Sequence, residues 1–186
     1  MQCMPTFQPN LDWITAAYGP FGVTDFSMWS GLAGHHASEL DAFDAVFIGG
    51  GNTFSLLREI RQSGIEDGLK AYVRGGKAVV GGSAGAAIWG RDIHTVDHLD
   101  RNDIALSNTE GLNMAEGHSI WVHYRPEDND LIRAYVRAHR HPVLAISERT
   151  SVVVETTGMR IVGFEPVYRF DDRGITVLQA AQGSNL

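Results

Sequence analysis

Short apolar runs along the chain alternate with stretches whose apolar residues recur every three to four positions, and this alternation predicts the elements. Ala45–Ile48 is a compact apolar run closed by Gly49-Gly50-Gly51, the pattern of a buried strand ending in a sharp loop. Phe54, Leu57 and Ile60, then Ile65, Leu69, Tyr72 and Val73, fall at helical spacing. They predict two helices between Thr53 and Arg74, the second stopped by Gly75-Gly76. Ala78–Val80 reads as the next strand, followed by Gly81-Gly82-Ser83-Ala84-Gly85 and a small-residue helix start at Ala86-Ala87-Ile88. Strand, helix, strand and helix within about 45 residues predict parallel βαβ units and a sheet covered on both faces.

Further along, Ile120–Val122 is a short buried strand ending at His123-Tyr124. Leu131, Ala134, Tyr135 and Ala138 mark one face of a helix that stops before Pro142. Val143–Ile146 is a strand ending at Ser147-Glu148, and Ser151–Glu155 continues after a turn. Alternation at Val167/Arg169 and Ile175/Val177 around Asp171-Asp172-Arg173-Gly174 predicts a hairpin or meander. Residues 91–118 have weak periodicity and read as a long loop crossing near the strand ends, a common place for function. Near the start, Leu11, Ile14 and Ala17 predict a helix from Pro9 to Tyr18, Val23–Trp29 reads as a strand, and Met1 stands almost directly on another.

Composition narrows the class. A chain of 186 residues favours one domain and can bury a core without disulfide or metal. The balance of 15 Lys+Arg against 22 Asp+Glu gives a net charge of −7, which disfavours a nucleic-acid or anionic-membrane surface. Cys3 is the only cysteine, so internal disulfides and multi-cysteine metal sites are excluded, which suits a reducing cytoplasm. No apolar stretch approaches a membrane span and no signal-peptide pattern opens the sequence.

Gly81-Gly82-Ser83-Ala84-Gly85 fits G-x-S-x-G between a strand and a helix. A serine there projects its hydroxyl from the carboxyl end of the strand, flanking glycines admit close backbone approach, and the helix N-terminus favours developing negative charge. Serine needs a base. Among the eight histidines, His123 has the best topology because it ends a strand, and Glu148 ends a strand at the same sheet edge if the strands are parallel. Asp97, in the loop after the serine helix, is the second candidate for the acid. His94 and His98 stand four apart and would suit zinc only if helical, whereas their polar surroundings read as loop. Gly49-Gly50-Gly51-Asn52-Thr53 would suit phosphate, but it lacks the Walker ending and the G-x-G-x-x-G spacing, and beside Ser83 its N–H groups could serve an oxyanion together with Ala84 N–H.

Phe47-Ile48-Gly49-Gly50-Gly51-Asn52-Thr53-Phe54, Gly82-Ser83-Ala84-Gly85-Ala86, Val122-His123-Tyr124 and Ser147-Glu148-Arg149-Thr150-Ser151, in that order, resemble the serine peptidase family of dipeptidase E (aspartyl dipeptidase) and cyanophycinase. The resemblance covers roughly Ala45 to Glu155. It implies a three-layer α/β/α sandwich with a mostly parallel sheet, like class I glutamine amidotransferases (flavodoxin-like), and hydrolysis of short peptides through an acyl-enzyme without a cofactor. Carried over, Ser83 is the nucleophile, His123 the general base, Glu148 the orienting acid, and Gly51 and Ala84 the oxyanion donors, with Asn52 shaping the loop. Two departures stand out. The arginine-bearing insertion of dipeptidase E after its histidine is largely missing, leaving Arg125 as a candidate for a substrate carboxylate. The usual first strand, ahead of the residues corresponding to Met1–Phe7, is also missing. A sheet edge left by that strand, together with the resemblance, predicts a homodimer. An esterase and a non-catalytic binding module on the same scaffold are the alternatives.

Overall fold

The computed structural model describes residues 8–180, so the strand expected at Met1 lies outside the described residues. The chain divides into two compact units, residues 1–34 and residues 35–186. In the first, α1 (Gln8–Tyr18) forms where its spacing predicts and ends in a 3-10 turn, Gly19–Phe21. No described residue of this unit is buried. The strand expected over Val23–Trp29 does not form, and Val23 and Met28 stay 41% and 37% exposed. Among the described residues no β-ladder includes this segment.

The second unit opens with a 3-10 turn at Ala37–Ala42 and then follows the βαβ pattern. β1 (Ala45–Ile48) runs into α2 (Thr53–Ser63) and α3 (Glu66–Arg74), and β2 (Ala78–Gly81) pairs with β1 in parallel, Ala45 opposite Ala78 and Ile48 opposite Gly81. Asn52 caps α2 by accepting the Ser55 N–H at 2.9 Å, and Gly64 ends it in the left-handed region. Phe54, Leu57 and Ile60 are buried along one stripe of α2, as their spacing requires. The helix after β2 is a single turn, α4 (Ala84–Ala87).

β3 (Ser119–Trp121) and β4 (Val143–Ala145) form a second parallel pair, connected by α5 (Asn129–His139). β7 (Val167–Asp171) and β8 (Gly174–Leu178) extend this sheet in the order β3-β4-β7-β8, both added antiparallel, as a hairpin around the predicted Asp171–Gly174 turn. β5 (Thr150–Glu155) and β6 (Gly158–Gly163) pair as a separate antiparallel hairpin. The architecture is therefore α/β with open, mixed sheets. Among the described residues antiparallel pairings outnumber parallel ones, so there the expected mostly parallel sheet holds only for the βαβ portions.

The alternation of the four-stranded sheet explains its two covers. Val143, Ala145 and Phe170 point to one face and pack with Trp121, Tyr124, Ile132, Tyr135 and Val136. Leu144 and Val167 point to the other face, where Ile161, Val152 and Met159 of the β5–β6 hairpin cover them. Helix and hairpin thus enclose this sheet, in place of helices on both sides. The apolar face of α5 is Ile132, Tyr135 and Val136; Leu131 is 52% exposed, and Ala134 and Ala138 are exposed as well. The stripe expected from Leu131, Ala134, Tyr135 and Ala138 is rotated, because branched Ile132 and Val136 fill the sheet surface that small alanines would leave empty.

Residues 91–118 hold only a 3-10 turn, His94–Val96, and a lone bridge between Asp92 and Glu110, yet Ile93, Val96, Leu112 and Ala115 are buried. This segment stitches the serine-bearing half of the unit to the histidine-bearing half. Leu112 N–H donates to Ile88 O at 2.7 Å, Asn113 N–H to Gly90 O and Met114 N–H to Trp89 O at 2.9 Å each. Arg91 N–H donates to His118 O at 2.9 Å, and the buried Thr95 hydroxyl donates to Ile120 O of β3 at 2.7 Å. Buried Asp92 accepts from His94 N–H, the Thr109 hydroxyl and, at 3.3 Å, the Tyr135 hydroxyl of α5. Burial pushes the Tyr135 hydroxyl pKa well up, so it remains a donor across the whole neutral range.

Candidate active site

Ser83 leaves β2 with φ 52 and ψ −116, a backbone region that a side chain rarely occupies. The surroundings impose it. A Cβ on Gly85 would stand 2.0 Å from Ile48 O, and one on Gly81 would stand 2.3 Å from Gly85 O. Only glycine at both positions lets the turn close this tightly against β1. Ala86 and Ala87 N–H both donate to Ser83 O at 2.9 Å, and Gly82 N–H donates to Ile48 O, so the serine sits between two anchored peptides. Ala84 opens α4, where the first N–H groups have no intrahelical acceptor.

Gly50 lies directly beside the serine: a Cβ there would stand 3.3 Å from Ser83 Cβ and 3.8 Å from its Oγ. The Gly49–Asn52 loop is held by two residues of the 91–118 loop that the sequence reading did not single out. Asp100 accepts the Thr53 N–H at 2.8 Å and the Thr53 hydroxyl at 2.6 Å, and Asn52 Nδ2 donates to Arg101 O at 2.9 Å. Asp100 also places a negative charge at the N-terminus of α2, where the helix dipole favours it. Asn52 thus shapes the loop with both ends of its amide.

His123 follows β3 with φ 56, and its Nε2 lies 2.8 Å from Ser83 Oγ. Its Nδ1 bonds Glu148 Oε1. A carboxylate only accepts, so Nδ1–H donates to Glu148 and leaves Nε2 to accept the serine O–H. The β3–β4 ladder sets this pairing: Ile146 N–H donates to Trp121 O and Tyr124 N–H to Ile146 O, keeping the two strand ends in step around His123. Beyond Glu148 the chain is fixed by Phe164 N–H donating to Arg149 O at 3.0 Å and by Thr150 Oγ1 bonding Glu165. Exposure grades along the row, with the His123 side chain 36% and the Glu148 side chain 71% exposed.

The other candidates fall elsewhere. Asp97 bonds His94 Nδ1 at 2.9 Å, while the imidazole of His123 is bonded to Glu148. His98 stacks on Trp121, ring centroids 4.2 Å apart and nearly coplanar at 13°, and burial against that ring lowers its pKa. Arg125, two residues past His123, donates its backbone N–H to Asp128 at 2.8 Å and has an exposed side chain. What sequence reading missed is Asp100, whose partner Thr53 is 47 residues away in sequence. Asn52 before an amphipathic run signals a helix cap, but no spacing rule names a distant carboxylate as its second anchor.

Comparison with known proteins shows the family of the chain. The pattern of peptidase family S51 matches residues 31–162. "Peptidase E" of Streptomyces coelicolor is 30% identical over 164 residues, covering 82% of this chain and 65% of the relative. "Peptidase E" of Shewanella denitrificans is 32% identical over 150 residues, covering 77% and 63%. The chain therefore spans somewhat less than two thirds of the length of these relatives. The crystal structure of a peptidase from an acI-B1 actinobacterium superposes with a TM-score of 0.56 at 16% identity, covering 81% of this chain and 62% of that one, a likeness of fold. The glycine loop, the serine turn and the strand that ends in His123 all fall within the matched span, and the chain belongs to peptidase family S51.

Proposed function

We propose that this chain carries the active site of a serine peptidase that hydrolyses short peptides. The carrying observation is the unbroken row of hydrogen bonds from Ser83 through His123 to Glu148, in a member of a peptidase family. Ser83 Oγ attacks the scissile carbonyl carbon as its proton passes to His123 Nε2, which forms imidazolium. Glu148 keeps Nδ1 protonated and stabilises that cation. The N–H groups of Gly51 and Ala84 are the donors assigned to the oxyanion. His123 then protonates the leaving amine, the C–N bond breaks and an acyl-serine remains. Water repeats the cycle with His123 as base and releases the acid. Asp97 has no part in this scheme, because its carboxylate is engaged by His94.

A fluorophosphonate probe followed by peptide mapping tests the nucleophile, and dipeptide hydrolysis followed by mass spectrometry tests the substrate class. Labelling confined to Ser83, with cleavage lost in Ser83→Ala, is the expected result. Folded protein that is not labelled at Ser83 would overturn the reading, and turnover of p-nitrophenyl esters without any peptide cleavage would replace it with an esterase.

A further inference from the structure

The end of the four-stranded sheet opposite the serine carries a groove of its own. β4 runs from Val143 towards Glu148, and β7 runs against it with Phe170 opposite Val143, so the β7–β8 turn lies at the end where β4 begins. α5 starts after His123 and ends at His139, just before β4, so its last turns reach that same end. Between them is a groove of about 340 Å³ with Val136 and Phe170 in its floor. Arg133, Arg137 and Arg140 line it from α5, and Arg173 from the hairpin turn.

These cations are poorly neutralised although the chain as a whole is acidic. Arg133 makes only a 3.4 Å contact with Asp130, whose side chain is 96% exposed, a pair worth little in water. Arg137, Arg140 and Arg173 have no carboxylate within 4.0 Å among the described residues. Of the two acids in the lining, Asp171 is engaged by the Arg169 guanidinium at 3.3 Å and by Arg173 N–H at 2.9 Å, leaving Asp172 alone uncommitted. The C-terminal dipole of α5 accounts for cations at 137 and 140. It does not account for Arg173, brought to the same groove from a different element.

We propose that this groove binds a small organic phosphate. Guanidinium forks arriving from two elements suit a tetrahedral dianion that accepts along several directions. Val136 and Phe170 lie beneath the groove but are only 7% and 1% exposed, so a carbon skeleton beside the phosphate would rest on the aliphatic stems of the arginines. The site lies at the far end of the sheet from Ser83 and does not depend on the hydrolytic reading.

The test is calorimetric titration of the full chain with phenyl phosphate at low ionic strength, alongside succinate and inorganic phosphate. Phenyl phosphate should saturate one site and bind at least about tenfold more tightly than succinate, since only the former presents a tetrahedral dianion. Arg137→Gln/Arg173→Gln should weaken it about tenfold or more, while Ser83→Ala should leave it unchanged. Arg173→Gln alone, in an exposed turn, should give a smaller loss in the same direction and serves if the double variant fails to fold. Absence of saturable binding, equal affinity for succinate, equal affinity in Arg173→Gln, or loss of binding in Ser83→Ala would each overturn the proposal. Inorganic phosphate binding as tightly as phenyl phosphate would overturn the role given to the arginine stems.

Discussion

The two parallel strand pairs of the second unit differ sharply, and the site is divided between them. β3 and β4 are buried at every position, enclosed by α5 on one face and the β5–β6 hairpin on the other. β1 and β2 alternate between exposed and half-buried positions, with Phe47 38% and Val80 40% exposed on one face. The buried pair presents His123 and Glu148, whereas the half-exposed pair presents Ser83 and the glycine loop. Among the described residues no ladder joins the two pairs. The distance between Ser83 and His123 is therefore set by what crosses from one half to the other, namely the partly buried segment 88–96 with 109–114. Local tightness of the serine turn and rigidity of the histidine strands do not by themselves produce a hydrogen bond between them.

Breaking the crossing should have the largest effect. A Cβ on Gly111 would stand 2.2 Å from Gly90 O and 2.7 Å from Ile88 O, both backbone atoms. Gly111→Ala is expected to cost about 3 kcal/mol or more and to reduce Ser83 labelling more than tenfold even where the protein stays folded. Denaturant unfolding and labelling rate check the two parts, and a fully stable, fully reactive variant would show that the crossing is not what sets the site. Asp100→Ala separates the loop from its anchor without touching either strand pair. It should lose about 1 kcal/mol of stability and lower kcat about tenfold with KM little changed, since the Gly49–Asn52 loop loses its hold. Thr95→Val removes one buried hydrogen bond of the stitch and leaves Ile120 O unsatisfied, which should cost about 1–2 kcal/mol by thermal unfolding. At the bottom of the scale, Val80→Thr on the exposed face of β2 should change stability by no more than about 0.5 kcal/mol.

The same division explains what was readable in advance. Each strand end and each glycine turn obeys local rules, so β1, β2, β3, β4, α2, α3, α5 and the β7–β8 hairpin were legible from period and punctuation. Ser83, His123 and Glu148 could be put forward as candidates because each follows a strand, and parallel pairing of β3 with β4 brings the ends that carry His123 and Glu148 to one edge; no pairing does the same for Ser83. Residues 91–118 were legible as a long loop but not as a partly buried one, because their burial comes with hydrogen bonds to Ile88, Gly90, His118 and Ile120 and not from any period of their own. The face of α5 was misread since Leu131 and Ala134 match helical spacing as well as Ile132 and Val136 do, and only the sheet surface chooses between them. Val23–Trp29 was read as a strand, but among the described residues no β-ladder includes it.

The central claim is that Ser83 and His123, delivered by separate strand pairs, act on a substrate as one unit. A double-mutant cycle on dipeptide hydrolysis, with Ser83→Ala, His123→Ala and the double variant compared at equal folded concentration, tests it most directly. Each single substitution should abolish most of the activity, and the double should fall hardly further, because removing either member disables both. Losses that multiply in the double variant would mean that the serine and the histidine work independently, and the account of the site would be wrong.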